Sequence, residues 1–166
     1  RDEANRIFQR LLSEETSDLS TRNRAWFYLA KISWQRGDID TALQAIERVQ
    51  GSMTAATRTA TVNLHSLLLM QQGDNKAAIS LLQDARSGKG WTAFLHYNLG
   101  IALIRNQQQL AGAKQLDRIG DRHGGNEELR LLRDKANLAL GYSYLKNDSP
   151  AMARKTLERV RLEGPL

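Results

Sequence analysis

Residues 24–46 read Arg24-Ala-Trp-Phe-Tyr-Leu-Ala-Lys-Ile-Ser-Trp-Gln-Arg-Gly-Asp-Ile-Asp-Thr-Ala-Leu-Gln-Ala-Ile46. Trp26, Leu29, Ile32 and Ser33 lie along one stripe at helical spacing. Gly37-Asp38 then interrupts the pattern. Glycine suits the left-handed position that closes a helix, and aspartate accepts from the free amides that open the next. A second stripe follows as Ile39, Ala42, Leu43, Ile46 and Val49. The segment reads as two helices joined by a tight turn.

The same arrangement recurs along the chain. A small residue closes each of Leu29-Ala30, His65-Ser66, Leu99-Gly100 and Leu140-Gly141. Twelve residues after each comes another small residue: Ala42, Ala78, Gly112 and Ala153. Four residues later stands a large apolar one: Ile46, Leu82, Leu116 and Leu157. Copies are separated by 36, 34 and 41 residues, and the extra residues gather between copies, as in Gly120-Asp-Arg-His-Gly-Gly125. Length varies where loops belong and is fixed where packing belongs. Ala4 and Phe8 carry the second half of the pattern alone. In the last copy the break is Asp148-Ser149-Pro150; Ser149 reads as an N-cap and Pro150 as the first helical residue, which needs no donor. The small residues are expected where paired helices approach closely, with large ones filling the gaps between layers.

These residues resemble the tetratricopeptide repeat (TPR) family. Trp26, Leu29, Ala30, Ala42 and Ile46 match its pattern, while Val62, His96 and Asn137 stand where its first aromatic belongs; its closing proline appears as Pro165. The resemblance spans the whole chain. It implies an all-α fold, a TPR helical-hairpin solenoid wound as a right-handed superhelix, with one half repeat and four full ones. The expected divisions of this single solenoid are 1–19 (a lone second helix), 20–53, 54–89, 90–125 and 126–166. Starting at Arg1, the chain is expected to be a fragment of a longer array. More narrowly, Leu129 to Tyr144 and Thr156-Leu-Glu-Arg-Val-Arg-Leu-Glu-Gly-Pro165 are similar to uncharacterised exported TPR proteins of proteobacteria. That likeness alone favours the periplasm or cell envelope.

Composition excludes several kinds of chemistry. The chain has 166 residues, 41% of them apolar and 25% charged, which are globular proportions. No cysteine is present, so thiolate metal sites and cysteine nucleophiles are ruled out. No apolar run is long enough for a membrane span. The net charge of +6 is spread along the chain beside acidic residues rather than gathered on one stripe, so no nucleic-acid partner is expected. His65 and His96 fall within helices and read as packed imidazoles; His123 lies in a glycine-rich loop. None has a second ligand at metal-binding spacing. Gly88-Lys-Gly90 lacks the glycine spacing and hydroxyl of a phosphate loop. Glu127 and Glu128 follow Asn126 at a helix start, where they suit the helix dipole. No catalytic residue, cofactor or metal is expected, and the chain is read as a non-enzyme.

In a solenoid of helix pairs the first helices line the concave face, and the family resemblance implies that this face holds a partner peptide or protein. The residues expected there are Phe27, Lys31 and Trp34 with Gln35; Asn63, Leu67 and Met70 with Gln71; Tyr97, Ile101 and Arg105 with Ile104; and Tyr142 and Lys146 with Leu138 and Leu145. The surface is apolar and aromatic on its floor and basic or amide at its edges. Trp34 and Met70 have the competing reading of packing between repeats. The family's carboxylate clamp is not reproduced, because Phe27 and Lys31 occupy the positions of its lysine and asparagine. The expected function is a non-catalytic protein-interaction scaffold. The alternatives are a self-associating structural element, a homo-oligomer formed through apolar ends at Ala4, Phe8, Leu11, Val160 and Leu162, or an envelope protein associated with polysaccharide.

Overall fold

The computed structural model describes residues 2–13, 18–87, 92–121 and 125–162. The side chains of Ala4 and Leu11, together with Gly88-Lys-Gly90, His123, Gly164 and Pro165, lie outside the described residues. All the regular structure among the described residues is helical: α1 (Asp2–Ser13), α2 (Leu19–Gln35), α3 (Ile39–Glu47), α4 (Ala55–Gln72), α5 (Asn75–Ala85), α6 (Ala93–Arg105), α7 (Gln109–Gly120), α8 (Glu127–Lys146) and α9 (Pro150–Leu157). The chain has the helical-hairpin solenoid fold that the repeats imply. Packing gathers it into two compact units, one up to Leu81 and one from Leu82 onward, so the division falls within α5.

The turn within the first two pairs is built as its sequence requires. Gly37 takes φ +80° and Gly73 φ +93°. The following amide closes each helix: Asp38 N–H donates to Ser33 O at 3.0 Å and Asp74 N–H to Leu69 O at 2.9 Å. Asp38 then accepts from Thr41 N–H at 3.1 Å, and Asp74 from Ala77 N–H at 2.9 Å. These caps hold the carboxyl of Asp38 below its ordinary range, the Thr41 hydroxyl contributing most and its backbone amide next.

The later turns depart from that design. The left-handed position is filled by Gln107 at φ +63° and Asp148 at φ +48°. A residue with a Cβ is strained there by about 1–2 kcal/mol. Ser149 stands at the N-cap of α9 as the sequence reads, with its carbonyl accepting from Ala153 N–H at 3.0 Å, but its side chain makes no cap bond; the hydroxyl donates instead to Asn147 O at 3.2 Å. With Pro150 opening the helix, its ring supplies the fixed φ and the absent donor without a side-chain cap.

In the unit up to Leu81, α2 packs on α1 and α3, and α3 on α4. Ala30, Ala42 and Ile46 are fully or almost fully buried. Phe8 stacks on Tyr28 with ring centroids 5.4 Å apart. In the unit from Leu82, α6 packs on α7, α7 on α8 and α8 on α9. Its core is Ala113, Leu116, Ile119, Leu132, Ala136 and Leu140. The small residues sit under large ones: a Cβ on Gly100 would come within 2.7 Å of Leu116 Cδ2, and one on Gly141 within 2.6 Å of Leu157 Cδ2.

One structural device was not anticipated from the sequence. Seven residues before the small residue, Asn23 and Asp134 are buried within first helices. Asn23 Nδ2 donates to Gln50 O at 2.8 Å, and Gln50 N–H donates to Asn23 Oδ1 at 3.2 Å. At the matching place in the last pair, Arg161 Nε donates to Asp134 Oδ2 at 2.6 Å. Each buried polar group fastens the chain beyond the second helix to the first.

Candidate functional site

The first-helix face of the unit up to Leu81 is formed by α2 and α4. Lys31 and Gln35 are exposed, and Phe27, Asn63 and Leu67 are half-buried. Phe27 meets Tyr28 edge-on at 5.7 Å. Trp34 is half-buried and its indole N–H donates to Gln71 Oε1 at 2.8 Å, so two residues expected on the face are engaged with each other. Met70 is only 6% exposed. Its side chain belongs to the core, which corrects the expectation that it lines the surface. The period of a first helix is satisfied equally by a core stripe and by the face beside it, and an unbranched apolar side chain fits either.

The other unit presents α6 and α8. Tyr97, Ile101 and Ile104 are half-buried and packed against the core of α7 and α8. Burial lifts the Tyr97 hydroxyl above its ordinary range, opposed by the charge of Arg105. On α8 the picture is reversed: Leu138 is 39%, Leu145 52% and Tyr142 66% exposed. Leu138, Tyr142 and Leu145 are spaced by four and three residues, so they share one stripe of the helix. Such a cluster of large apolar side chains in water is costly unless something covers it.

A cleft of about 540 Å3 opens between these helices. Ile101, Ile104, Ala139 and Tyr142 supply its apolar wall, Arg105 and Lys146 its charge, and Gln107, Gln109 and Ser143 its remaining polar groups. Ser143 Oγ donates to Gln109 Oε1 at 3.1 Å. The cleft thus brings together five of the residues expected on the concave face: Ile101, Ile104, Arg105, Tyr142 and Lys146.

A second cleft, of about 450 Å3, lies on the opposite side of α2, against α1 and α3. Trp26 forms part of it, with the Arg48 guanidinium 6.0 Å from its ring centroid. Asp38, also lining it, is committed to capping α3.

The two described histidines, His65 and His96, lie within α4 and α6. His96 Nδ1 lies 3.2 Å from Gln115 Oε1. His65 is half-buried, and desolvation holds its pKa below the ordinary value despite the nearby charge of Glu47. Among the described residues there is no group of three side chains able to hold a metal ion, and no helix long and apolar enough to cross a membrane. Glu127 pairs with Arg161 Nη1 at 3.0 Å and lies 3.4 Å from Arg130 Nε.

Comparison with known proteins bears on the fold. The tetratricopeptide repeat family model matches residues 1–56. No curated protein sequence matches the chain. Among solved structures, the crystal structure of MamA superposes with a TM-score of 0.72 at 15% identity, covering 95% of this chain and 85% of that one. The structure titled MamA RS-1 ArsTM double mutant gives 0.74 at 17% identity, covering 95% and 82%. Residues 1–56 are therefore tetratricopeptide-repeat sequence, and the described remainder continues the same fold. That fold generally mediates protein–protein interaction without catalysis.

Proposed function

We propose that this tetratricopeptide-repeat chain is a non-catalytic scaffold that holds a partner peptide or protein on the faces of its first helices. The observation that carries the reading is the uncovered stripe Leu138, Tyr142 and Leu145 beside the cleft of α6 and α8. Aromatic anchors with an apolar body and a polar tip are the residues on which interface affinity concentrates. Lys31, Arg105 and Lys146 at the edges set selectivity through charge. Phe27, Asn63 and Leu67 contribute partly exposed surface from α2 and α4, and Trp34 a ring whose N–H is already satisfied. Met70 takes no part.

The test is retention of proteins from a cell lysate by the immobilised chain and by Tyr142→Ala/Leu145→Ala, with melting temperatures measured alongside. The expected result is a set of proteins lost from the variant while its melting temperature is unchanged. Unchanged retention by a folded variant would move the partner to another surface. A wild-type chain that self-associates in light scattering, and a variant that does not, would assign the stripe to assembly.

A further inference from the structure

The cleft beside α1 and α3 has a counterpart inside the same chain. α1 and α3 each pack on α2 without packing on one another, and α7 and α9 do the same on α8. Both gaps thus separate two second helices, and the repeat makes them comparable residue by residue. Arg159 stands six residues after the small residue Ala153, and Asp117 five after Gly112. The same offsets from Ala42 and Ala4 give Arg48 and Gln9. Arg159 Nη1 crosses its gap to Asp117 Oδ1 at 2.9 Å. Arg48 shares its cleft with Gln9, a neutral amide. The arginine is present there without its acid.

Nothing else in the unit replaces that acid. Arg48 forms no ion pair among the described residues; its contact is the Trp26 ring, with the guanidinium carbon 6.0 Å from the centroid. A cation–π contact favours the charge but supplies no acceptor for the five N–H donors of a guanidinium. Asp38 lines the cleft as well, but one of its oxygens accepts from the Thr41 amide at 3.1 Å. Arg36, also on the wall, already has a partner.

The floor differs from its counterpart too. Four residues before the small residue the last pair has Asn137, fully buried, whereas the first has Trp26, half-buried. The Trp26 indole N–H donates to no described residue, unlike that of Trp34. Leu12 and Leu29 extend the apolar surface beside the ring. The cleft's volume of about 450 Å3 falls within the range of small-molecule sites, about 300–1,000 Å3.

We infer that the cleft of α1, α2 and α3 binds a small organic carboxylate with a flat apolar body. The carboxylate takes the place that Asp117 holds beside Arg159, accepting from the fork of Arg48 in a charge-assisted pair. The apolar body packs on Trp26 and Leu12. A dianion such as phosphate is disfavoured by the carboxylate of Asp38 in the same cleft. The site lies on the other side of α2 from the first-helix face, so it stands or falls independently of the scaffold reading.

The experiment is a titration of the whole 15N-labelled chain, read from its indole N–H signals by NMR. The chain has three tryptophans, and Trp26→Phe and Trp34→Phe assign two of the signals. The probes are benzoate, the isosteric neutral benzamide, and acetate, which lacks the ring. Benzoate is expected to move the Trp26 signal and leave that of Trp34 in place. It should bind roughly tenfold more tightly than benzamide, the effect of one charge-assisted contact, and more tightly than acetate. Arg48→Gln, at an exposed position, should remove the preference for benzoate over benzamide with the melting temperature unchanged. Arg48→Lys should restore only part of it. Gln9→Asp should weaken benzoate by giving Arg48 the acid that Arg159 already has. Equal binding of benzoate and benzamide, or a preference that survives Arg48→Gln, would overturn the inference. So would a Trp26 signal that none of the probes moves. A glutamate side chain of a partner protein carries the same chemistry. If N-acetylglutamate α-amide binds more tightly than benzoate and displaces it, the site takes protein carboxylates and the small-molecule assignment is wrong.

Discussion

Gly112 lies against the backbone of Gly100: a Cβ built on Gly112 would stand 2.7 Å from the Gly100 carbonyl oxygen. The same Cβ would lie 2.6 Å from Ile104 Cγ1 and 3.0 Å from Ile104 N. Two of those three neighbours are main-chain atoms of α6, which cannot rotate away. The approach of α6 to α7 is therefore set by the absence of a side chain.

Gly112→Ala should accordingly destabilise the protein. Helix propensity alone favours alanine by about 1 kcal/mol, and overpacking opposes it by about 1–3 kcal/mol. Contact with main chain places the penalty at the upper end, for a net loss of about 1–2 kcal/mol. Gly141→Ala should lose less, because what its Cβ would meet is the side chain of Leu157, which is only half-buried and can turn. Thermal unfolding of the two variants, with exposed Lys114→Ala as a control expected to stay within about 0.5 kcal/mol, checks the order. Equal shifts for all three would remove the close-contact explanation.

The fastening of Arg161 leads to a different expectation. Asp134 is 1% exposed, and Arg161 donates to it through both Nε and the backbone amide. Arg161→Ala strands a buried carboxylate, the costly way to break a pair. Arg159 makes a comparable 2.9 Å bridge to Asp117, but Asp117 is 53% exposed and water replaces the lost cation there. Arg161→Ala should therefore lower the melting temperature clearly more than Arg159→Ala. Arg161→Lys should recover only part of the loss, since lysine lacks the fork that reaches Asp134 and Glu127 together. A smaller effect at Arg161 than at Arg159 would contradict the assignment.

The sequence made the helix pairs legible because close packing demands small and large residues at fixed offsets. Ala30, Ala42, Gly100, Leu116 and their counterparts were readable for that reason. Gly37 and Gly73 were readable because only glycine is unstrained where they stand. Asn23 and Asp134 were not: a polar residue inside a helix ordinarily signals a solvated face, and burial became visible only once its distant partner was in place. The candidate face was half legible. Spacing nominates every first-helix residue that is neither small nor opposite the core, but does not say which neighbour covers it. Met70 was lost to the core and Trp34 half committed to Gln71, whereas the exposed stripe of α8 kept the character expected of it.

Stability should also respond to pH through His65. Its folded pKa is depressed below the ordinary 6.5 by burial, so the folded chain holds fewer protons than the unfolded one as pH drops past that value. The stabilising contribution is present above about 6.5 and is lost as pH falls through the folded pKa. Melting temperature should thus decline on acidification from neutrality, and His65→Gln should flatten that part of the profile. The cap carboxylates Asp18 and Asp38, also depressed, act only below their ordinary 3.8 and leave this window undisturbed. A slope identical in wild type and His65→Gln would show that another group titrates there.

The two tyrosines of the cleft region should separate folding from binding. Tyr97 packs on the core of α7 and α8, while Tyr142 is 66% exposed on the stripe that borders the cleft. Truncating a half-buried aromatic removes transfer energy and leaves a cavity, so Tyr97→Ala should cost about 2 kcal/mol of stability. Tyr142→Ala, with few contacts to lose, should stay within about 0.5 kcal/mol. Its effect should instead fall on partner affinity, where losing a hot-spot aromatic typically costs ~2 kcal/mol, or roughly thirtyfold. Denaturant unfolding of both variants, read beside retention of lysate proteins by each, distinguishes the roles. A Tyr142→Ala chain as destabilised as Tyr97→Ala would place that ring in the core and leave the cleft without its anchor. A stable Tyr142→Ala chain that binds unchanged would leave the apolar wall to Ile101 and Ile104 alone.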